Sequence, residues 1–454
     1  MKRILRNTFT VGGLTALSRV LGLVREMLQS RLIGAGVEQS AFVLAFAIPN
    51  MARKLFGEGA LTAAFVPVFK GEVEKGNKEE ALALARMVMT SVLFLLGAAV
   101  ALGVVGLSLY LETASSVSQR ASLTVSLVRI LLPYMIFICA AAFGMGALNS
   151  LGRFAEGAFM PAMLNIVWIA ALAVLWFFPS FPLSTRVSVV CWSILAGGAL
   201  QMLFLMRCMA KRGYAFRFRL PDFTNPSLRT VWKNTFLGAV GAGAVQINYM
   251  LDQVLGQCAA PWAAGVIGYA ERLMDLPLGV VGVAFGTVLL PTFSGYFARD
   301  DEVGARKALK TSIIQMLVVM LPVSIVTFFC SDWIVSLIYE GRAFDQTATL
   351  RVSRALSVYG IGLCFFSVYK CLVPYFQAQR DMKTPLRVTL VTVVLNAVLN
   401  VLAVCLLPQE YRHVGLAAST VFCSMIGCVL FVLAFMRKIR YNTRKIFIPD
   451  RKKR

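Results

Sequence analysis

The run Ser18-Arg19-Val20-Leu21-Gly22-Leu23-Val24-Arg25-Glu26 lies in the middle of an apolar segment from about Phe9 to Ile33, close to the length of one bilayer crossing. Arg19 and Arg25 fall within roughly 6 Å of its midpoint. Each arginine raises the free energy of membrane insertion by about 2.5–3.5 kcal/mol, whereas all the apolar residues of the segment together lower it by only roughly 3–6 kcal/mol. We therefore expect both arginines to face water or an anion; the alternative is a marginal helix, or a signal anchor, supported by its neighbours.

Composition places the chain among polytopic membrane proteins. It has 454 residues, of which 58% are hydrophobic and 15% charged, and its mean hydropathy is +0.74; these values exclude an ordinary soluble protein. The formal charge of +23 would suggest nucleic acid as the partner of a soluble chain, but here the basic residues lie in short loops beside apolar segments. Membrane topology explains them better, and no nucleic-acid partner is expected.

Cysteine spacing and the basic N-terminus exclude two further classes of feature. The ten cysteines are scattered without a CxxC pair, and His413 is the one histidine, so neither a metal site nor a disulfide framework is expected. Lys2, Arg3 and Arg6 look like the start of a signal peptide, but no small-residue cleavage site follows a short apolar core. We predict that this terminus is retained in the cytoplasm.

Hydropathy predicts twelve membrane-spanning helices, because the bilayer admits only helices or closed barrels and these segments are too long for barrel strands. With the N-terminus inside, inner regions hold about 31 of the 45 basic residues and outer loops about five, so both termini are predicted to be cytoplasmic. The basic tail could also contact anionic membrane lipids. The predicted segments are 9–33, 40–69, 83–110, 123–149, 158–178, 187–209, 231–256, 264–297, 312–339, 351–378, 386–407 and 413–436.

The two halves of the chain repeat each other at an offset of about 225 residues. Six segments per half give both halves one orientation, which predicts a parallel repeat of two six-helix lobes around a central cavity, with alternating access. We predict lobes at 1–220 and 221–440 and a basic cytoplasmic tail at 441–454. The matching pairs are Arg6–Phe9 with Lys233–Phe236, Phe65–Phe69 with Leu289–Phe293, and Arg129 and Tyr134 with Arg354 and Tyr359.

Segment two carries three further charges. Arg53, Lys54 and Glu58 follow Pro49-Asn50 and are interleaved with Gly57 and Gly59. Proline frees a backbone carbonyl and small residues permit bending, so these charges are candidates for the same interior site. The alternative is a cytoplasmic helix end with solvated charges.

Segments seven and eight add charges of both signs. Arg272 and Asp275 lie on one helical face before Pro277, so they are either part of the site or a structural ion pair. Asp252 is a lone acid in segment seven. It could bind a cation or proton that drives transport, or pair with an arginine of the other lobe.

Together, these charges predict an anionic ligand. Arg19, Arg25, Arg53, Lys54 and Arg272 outnumber the acids near them, and the guanidinium fork suits a diphosphate or carboxylate. The sequence holds no P-loop, no Ser/His/Asp set and no paired catalytic carboxylates. We therefore expect a transporter that needs no cofactor rather than an enzyme.

Several motifs along most of the chain resemble the MurJ (MviN) family. They are Ser18–Glu26, the run from Pro49-Asn50 through Phe56-Gly57-Glu58-Gly59-Ala60 to Pro67, Glu271–Met274 with Leu290-Pro291, and Arg380–Pro385. Members of this family flip lipid II, the undecaprenyl-diphosphate-linked peptidoglycan precursor, across the bacterial cytoplasmic membrane. They share a superfamily with multidrug exporters of the MATE type and with polysaccharide-lipid flippases, and these are the alternative functions.

The resemblance implies roles for particular residues. Arg19, Arg25, Arg53 and Arg272 would engage the diphosphate-sugar headgroup in the central cavity, and Glu58 matches a functionally important acid. Coupling to sodium, protons or membrane potential is implied for some members, with Asp252 and Asp381 as the cation-site candidates here. Lipid II, membrane lipids and the peptidoglycan synthesis machinery are the expected partners.

The chain departs from the family pattern in two places. The family usually has an acid where this chain has Ser40, and Glu38 is the neighbour that could replace it. Members usually carry fourteen segments, the last two associated with a groove for the lipid tail, whereas twelve are predicted here.

Overall fold

The computed structural model describes residues 2–57, 59–113 and 118–447, and these ranges are helical almost throughout. The predicted all-α class is confirmed: apart from an isolated bridge between Gly341 and Phe344, the described ranges contain no β-structure. In chain order they form α1 (Lys2–Ile33), α2 (Val37–Ala52), a π-helical turn (Arg53–Gly57), α3 (Ala60–Glu74), α4 (Lys78–Thr113), α5 (Gln119–Leu131), α6 (Tyr134–Ser150), α7 (Ala155–Trp176), α8 (Leu183–Ala210), α9 (Pro226–Ala259), α10 (Ala263–Ala298), α11 (Glu302–Phe329), α12 (Ser331–Tyr339), α13 (Gln346–Ala378), α14 (Lys383–Leu406) and α15 (Arg412–Phe447).

Eight stretches of the described residues are long and apolar enough to cross a membrane, judged by length and composition. The predicted number of twelve crossings stays a prediction. The structure interrupts three of the predicted segments: the second at the π-helical turn, the fourth at Leu132 and Pro133, and the ninth at Cys330. At Pro133 the missing backbone N–H removes one helical hydrogen bond, which accounts for the break between α5 and α6.

The chain divides into two compact units. The first comprises Met1–Val254 together with Ile338–Ala348, and the second comprises Leu255–Leu337 and Thr349–Arg454. Most of α9 therefore packs with the first unit, although the sequence repeat assigns it to the second half. Packing units follow helix contacts and need not end where a repeat ends, so the predicted lobes of 1–220 and 221–440 stay a prediction.

The helix order nevertheless follows the sequence repeat. Helices in the two halves begin at positions related by the same offset of about 225 residues, namely Lys78 and Glu302, Gln119 and Gln346, and Ala155 and Lys383. One difference concerns the charged segment: α2, the π-helical turn and α3 of the first half correspond to the unbroken α10 of the second. Helix α10 continues through Pro277 and Pro291.

Each unit has its own apolar core. In the first, Phe65 lies 4.3 Å from Phe143 and 5.0 Å from Phe69 between ring centroids, and all three are fully buried. In the second, Tyr375 and Phe376 are buried among aromatic side chains of α10 and α15. Helix α1 packs along α7 in the first unit, and this pairing positions the arginines of α1.

A short segment from the second half of the sequence, Ile338–Ala348, packs within the first unit. Ser30 Oγ donates a hydrogen bond to the Tyr339 carbonyl (3.2 Å), and the Ala343 N–H donates to the Arg31 carbonyl (3.0 Å). The Ala343 bond satisfies a carbonyl at the C-terminal end of α1, where the helix itself supplies no donor, and the Ser30 bond satisfies the Tyr339 carbonyl of the 338–348 segment.

We predict that Gly34→Ala destabilises the first unit. Gly34 has φ +78°, and a Cβ at this position would overlap the Ala343 carbonyl oxygen. Left-handed backbone costs an alanine roughly 1–2 kcal/mol, and the overlap also displaces the 338–348 segment. Thermal unfolding of the purified protein should show a lower Tm. Gly97→Ala, in open space on α4, is the matched control; equal Tm values for the two variants would contradict the prediction.

Candidate functional site

Arg25 is held between α1 and α7. Its Nη1 donates a hydrogen bond to Asn165 Oδ1 (2.9 Å), and Asn165 Nδ2 in turn donates to the Ser18 carbonyl (3.0 Å). Gly22 lies between these two levels of α1, and a Cβ there would make only an ordinary contact of 3.6 Å with Asn165 Nδ2. One side chain of α7 therefore orients the guanidinium and fastens α1.

Two further contacts surround the Arg25 guanidinium. Its Nη2 pairs with Glu26 Oε1, and its Cζ lies 4.3 Å from the centre of the Trp168 ring. The Arg25 and Glu26 side chains are only 14% and 13% exposed. Arg25 Nε is buried without a hydrogen-bond partner among the described residues. The site thus contains the Arg25 guanidinium, which is held in place and stacked on the Trp168 ring. Glu26 lies beside it, and the Arg25 Nε–H is a hydrogen-bond donor that these contacts do not use.

The three arginines of α1 have different surroundings. Arg19 is partly buried, six residues before Arg25, so the two side chains point about 120° apart on an ideal helix. Arg31 lies in the last turn of α1. Its Nε is buried without a hydrogen-bond partner among the described residues, and its aliphatic carbons lie against Gly341. Arg31 therefore packs against the 338–348 segment.

Arg53 and Lys54 begin the π-helical turn. Arg53 Nε and Nη2 both donate to Asn50 Oδ1, at 3.1 and 2.9 Å, so the guanidinium folds back on the last turn of α2. After the turn, Gly59 adopts φ −99° and ψ −119°, and a Cβ there would overlap the Lys54 carbonyl oxygen. Single π-helical turns are frequent at functional sites. Glu58 lies outside the described residues, so its assigned role stays a prediction.

Helix α9 meets this turn from within the same unit. Lys54 Nζ lies 4.9 Å from the centre of the Tyr249 ring. Asn248, the residue before Tyr249, donates from Nδ2 to Asp252 Oδ2 (3.3 Å), about one helical turn further along α9. Asp252 is partly buried. The first unit therefore brings Lys54 to the part of α9 that carries Asp252.

In the second unit, α10 carries its charges on and beside an exposed face. Arg272 and Asp275 are exposed within the unit, while Glu271 accepts a hydrogen bond of 3.5 Å from the Tyr359 hydroxyl. Lys370 of α13 donates to the Leu278 carbonyl (3.5 Å) and lies close enough to Asp275 to interact electrostatically. Lys370 was missed by sequence reasoning, although a lone lysine inside an apolar segment is a signal of the same kind as Arg25.

Asp381 already has a cationic partner. Lys438 Nζ lies 2.7 Å from Asp381 Oδ2, which also accepts from the Thr384 hydroxyl (2.7 Å), and Oδ1 accepts the Thr384 N–H (3.0 Å). Burial opposes ionisation of Asp381, but the hydrogen bonds from Lys438 and Thr384 and the lysine charge outweigh it and lower the pKa to about 2. The ammonium lies where a coupling ion would bind this carboxylate, and the cation-site role stays a prediction.

We expect Asp381→Asn to destabilise the second unit by about 1–2 kcal/mol near neutral pH, allowing for the half-exposed lysine. Because folding lowers this pKa, the stabilisation is complete above the ordinary value of 3.8 and disappears as pH falls towards 2. The Tm difference between wild type and variant should therefore shrink as pH falls through this range. A difference that is independent of pH would contradict the assignment.

Ser40, which stands where the family usually has an acid, and its neighbour Glu38 both lie in α2. Ser40 is fully buried in α2, next to Gln39, which accepts a hydrogen bond from Gln29 (3.0 Å). Glu38 is partly exposed in the first turn of α2, where the helix dipole favours an acid. The replacement of the family's acid by Glu38 stays a prediction, which mutation of Glu38 can test.

A buried polar cluster in the second unit was also not predicted. Asn400 Nδ2 donates to Asn396 Oδ1 (3.1 Å), and Asn396 Nδ2 donates to the Thr420 hydroxyl (3.5 Å). Both asparagines are buried in the candidate span 383–406, and Thr420 lies in the span 412–438. Amides inside an apolar span need such partners because lipid offers none.

Comparison with known proteins decides the family. The sequence model of the family described as "Lipid II flippase MurJ" matches residues 29–452. The chain belongs to the MurJ family. Among MurJ relatives, the probable lipid II flippase MurJ of Rhizobium tropici is 33% identical over 440 residues, covering 96% of this chain and 81% of that protein. Lipid II flippase MurJ of Burkholderia cenocepacia is 30% identical over 450 residues, covering 97% and 85%.

Solved structures show the same fold. Lipid II flippase MurJ in an inward closed conformation matches with a TM-score of 0.78 at 24% identity, covering 94% of this chain and 87% of that one. An inward-facing MATE transporter matches with a TM-score of 0.77 at 15% identity, covering 94% and 97%. The fold is therefore common to MurJ and MATE proteins, and the sequence family distinguishes between them.

Proposed function

We propose that this protein flips lipid II from the inner to the outer leaflet of the bacterial cytoplasmic membrane by alternating access. The observation that carries the proposal is the Arg25 geometry: a guanidinium in an apolar helix, oriented by Asn165 and Trp168 and still holding an unused donor. Relatives that align with almost the whole chain are named as lipid II flippases. A diphosphate is the part of that substrate which needs such a cation.

The Arg25 geometry suits reversible binding of a diphosphate. A preorganised fork binds paired phosphate oxygens without losing side-chain freedom at that moment. Glu26 neutralises part of the charge between cycles, which lowers the cost of an unoccupied cation in an apolar segment. Arrival of the diphosphate would replace the carboxylate as the partner, and departure would restore it.

The remaining cations are proposed to serve the same headgroup. Arg19, Arg53 and Lys54 would contribute from the first unit and Arg272 from the second, with Glu58 as an acid beside them. Hydrogen bonds to a charged group contribute about 1.5–3 kcal/mol each, so several such contacts could hold a diphosphate-sugar headgroup while the lipid tail stays in the bilayer. No covalent step is needed, and we propose a transporter without enzymatic activity or cofactor.

Energy coupling and orientation are part of the proposal. Asp252 and Asp381 are the cation or proton candidates, and Asp381 already binds Lys438. Sodium, protons and membrane potential are the alternatives for the driving force. We propose cytoplasmic termini on the basis of the lysine and arginine distribution, and contacts with membrane lipids and the peptidoglycan synthesis machinery.

A MATE-like small-molecule exporter is the second candidate, favoured by the close similarity in fold. Hydrophobic drug cations would require an acidic site, whereas the intramembrane charges here are mainly basic. Drug efflux driven by a cation gradient in proteoliposomes, without lipid transport, would favour this candidate. Transport of another polyprenyl-linked saccharide in place of lipid II is a variant of the first function.

Complementation tests the proposal. Cells depleted of their own lipid II flippase should survive when they express this chain, and Arg25→Ala should abolish rescue at equal membrane abundance. Arg354→Ala, which changes an exposed arginine of α13, is the control and should rescue. Failure of the well-expressed wild-type chain to rescue would overturn the proposal.

A further inference from the structure

Two turns in the second unit have charged residues where the backbone favours glycine. After α13, Arg380 adopts φ +58°, and after α10, Asp300 adopts φ +53°. The Arg380 N–H donates to the Gln377 carbonyl (2.9 Å) and the Asp381 N–H to the Phe376 carbonyl (3.0 Å). These bonds are the Schellman pattern, whose left-handed position is usually glycine.

The corresponding turns of the first unit follow the usual pattern. Gly76 after α3 has φ +83° and Gly152 after α6 has φ +72°, with the same pair of hydrogen bonds in each turn. They precede Asp300 and Arg380 by about the repeat offset. The second unit therefore bears the cost of a side chain in left-handed backbone at both positions. At one of these positions, the Arg380 side chain lines a cavity.

A cavity of about 850 Å³ opens beside Arg380, and the second unit supplies the whole of its lining. Three cations from three elements line it: Arg306 of α11, Arg380 of the α13–α14 turn and Lys438 of α15. Arg306 pairs with Glu302 (2.9 Å) and Lys438 with Asp381 (2.7 Å). The Arg380 guanidinium has no hydrogen bond or ion pair with the described residues, so one positive charge is left over.

The position of the cavity along the candidate spans indicates which part of the bilayer it faces. Lys438 is the last residue of one candidate span and Ala378 the last of another, while Glu302 begins a third. The cavity therefore lies where apolar helices end, which is the level of lipid headgroups. Its inner wall is aromatic, with Tyr375 packed edge-on against Phe297 (5.4 Å) and Phe435 (5.7 Å).

We propose that this cavity binds the phosphodiester headgroup of an anionic membrane phospholipid, with Arg380 as the phosphate ligand. One uncompensated positive charge matches one phosphodiester, and the guanidinium can bind two of its oxygens. The volume is within the range of small-molecule sites. Basic pockets at the ends of membrane helices suit acidic headgroups, and the aromatic wall would face the glycerol and the first part of the acyl chains.

Lipid binding to the purified full-length protein tests the proposal independently of transport. Native mass spectrometry in neutral detergent should show one dioleoyl-phosphatidylglycerol bound more tightly than dioleoyl-phosphatidylcholine. Arg380→Gln should weaken the first phosphatidylglycerol about tenfold, about 1.4 kcal/mol. Arg354→Gln, an exposed arginine elsewhere on α13, is the matched control and should change the affinity less than twofold.

Arg380→Gly separates a binding role from a capping role. Glycine removes the cation but relieves the left-handed backbone, so this variant should have a higher Tm and the same weakened phosphatidylglycerol binding. Equal affinity for the two lipids, or wild-type binding by both Arg380 variants, would overturn the proposal. Displacement of the lipid by millimolar inorganic phosphate would also overturn it, because the site would then be one for free phosphate.

Discussion

Arg25→Ala protein is expected to insert into the membrane and to lose roughly 10- to 100-fold of its lipid II transport. The loss follows from removing charge-assisted hydrogen bonds worth about 1.5–3 kcal/mol each to the diphosphate. Insertion should be unaffected or improved, because the change removes a charge that costs about 2.5–3.5 kcal/mol near the centre of a span. Transport per inserted molecule, in cells or proteoliposomes, is the measurement.

Two matched variants sharpen the Arg25 test. Arg25→Lys keeps the charge but loses the two-pronged geometry, so intermediate activity is expected. Asn165→Ala keeps the arginine but removes its hydrogen bond and the link to Ser18, and should reduce transport through misorientation of the guanidinium. Full activity of the Arg25→Ala variant would show that the fixed guanidinium serves only to pack α1 on α7.

Gly59→Ala should also greatly reduce transport. A Cβ at position 59 would overlap the Lys54 carbonyl oxygen and press on that of Leu55, so the π-helical turn must rearrange. Arg53 and Lys54 begin this turn, and they would lose the geometry that now directs them to Asn50 and Tyr249. We expect transport to fall at least roughly tenfold, with a lower Tm from backbone strain of about 1–3 kcal/mol.

Gly71→Ala is the control for this effect. Gly71 lies on α3, where a Cβ would meet nothing within 4 Å, and alanine is the better helix former by about 1 kcal/mol. This variant should transport like wild type and unfold at an equal or higher temperature. If Gly59→Ala behaved in the same way, the π-helical turn would have no role in positioning the two cations.

Local patterns made the fold class predictable from the sequence. Hydropathy alone indicates helices, and the repeat of Phe65–Phe69 in Leu289–Phe293 indicates that the halves are related. The breaks within the predicted helical segments were harder to predict from the sequence. The combination of Pro49 with Gly57 and Gly59 indicated a bend, but whether a bend becomes a π-helical turn depends on packing around it, which no local pattern specifies.

The charges of the site were predictable, but their partners were not. Arg25 is conspicuous in an apolar segment, whereas Asn165 and Trp168 are ordinary residues of another helix, about 140 positions away. Only packing of α7 on α1 turns them into the arginine's neighbours. Lys370 could have been found, because the rule that selected Arg25 applies to it equally. The left-handed backbone of Arg380 could not, since glycine is the expected residue there.

Outward movement of lipid II is the most direct measurement of the central claim. Cells whose own flippase is rapidly depleted should display externally accessible lipid II when they make this chain, and lipid II should accumulate on the inner leaflet when they make the Arg25→Ala variant at the same abundance. External lipid II that is unchanged by wild-type chain and variant alike, with no other flippase present, would contradict the account.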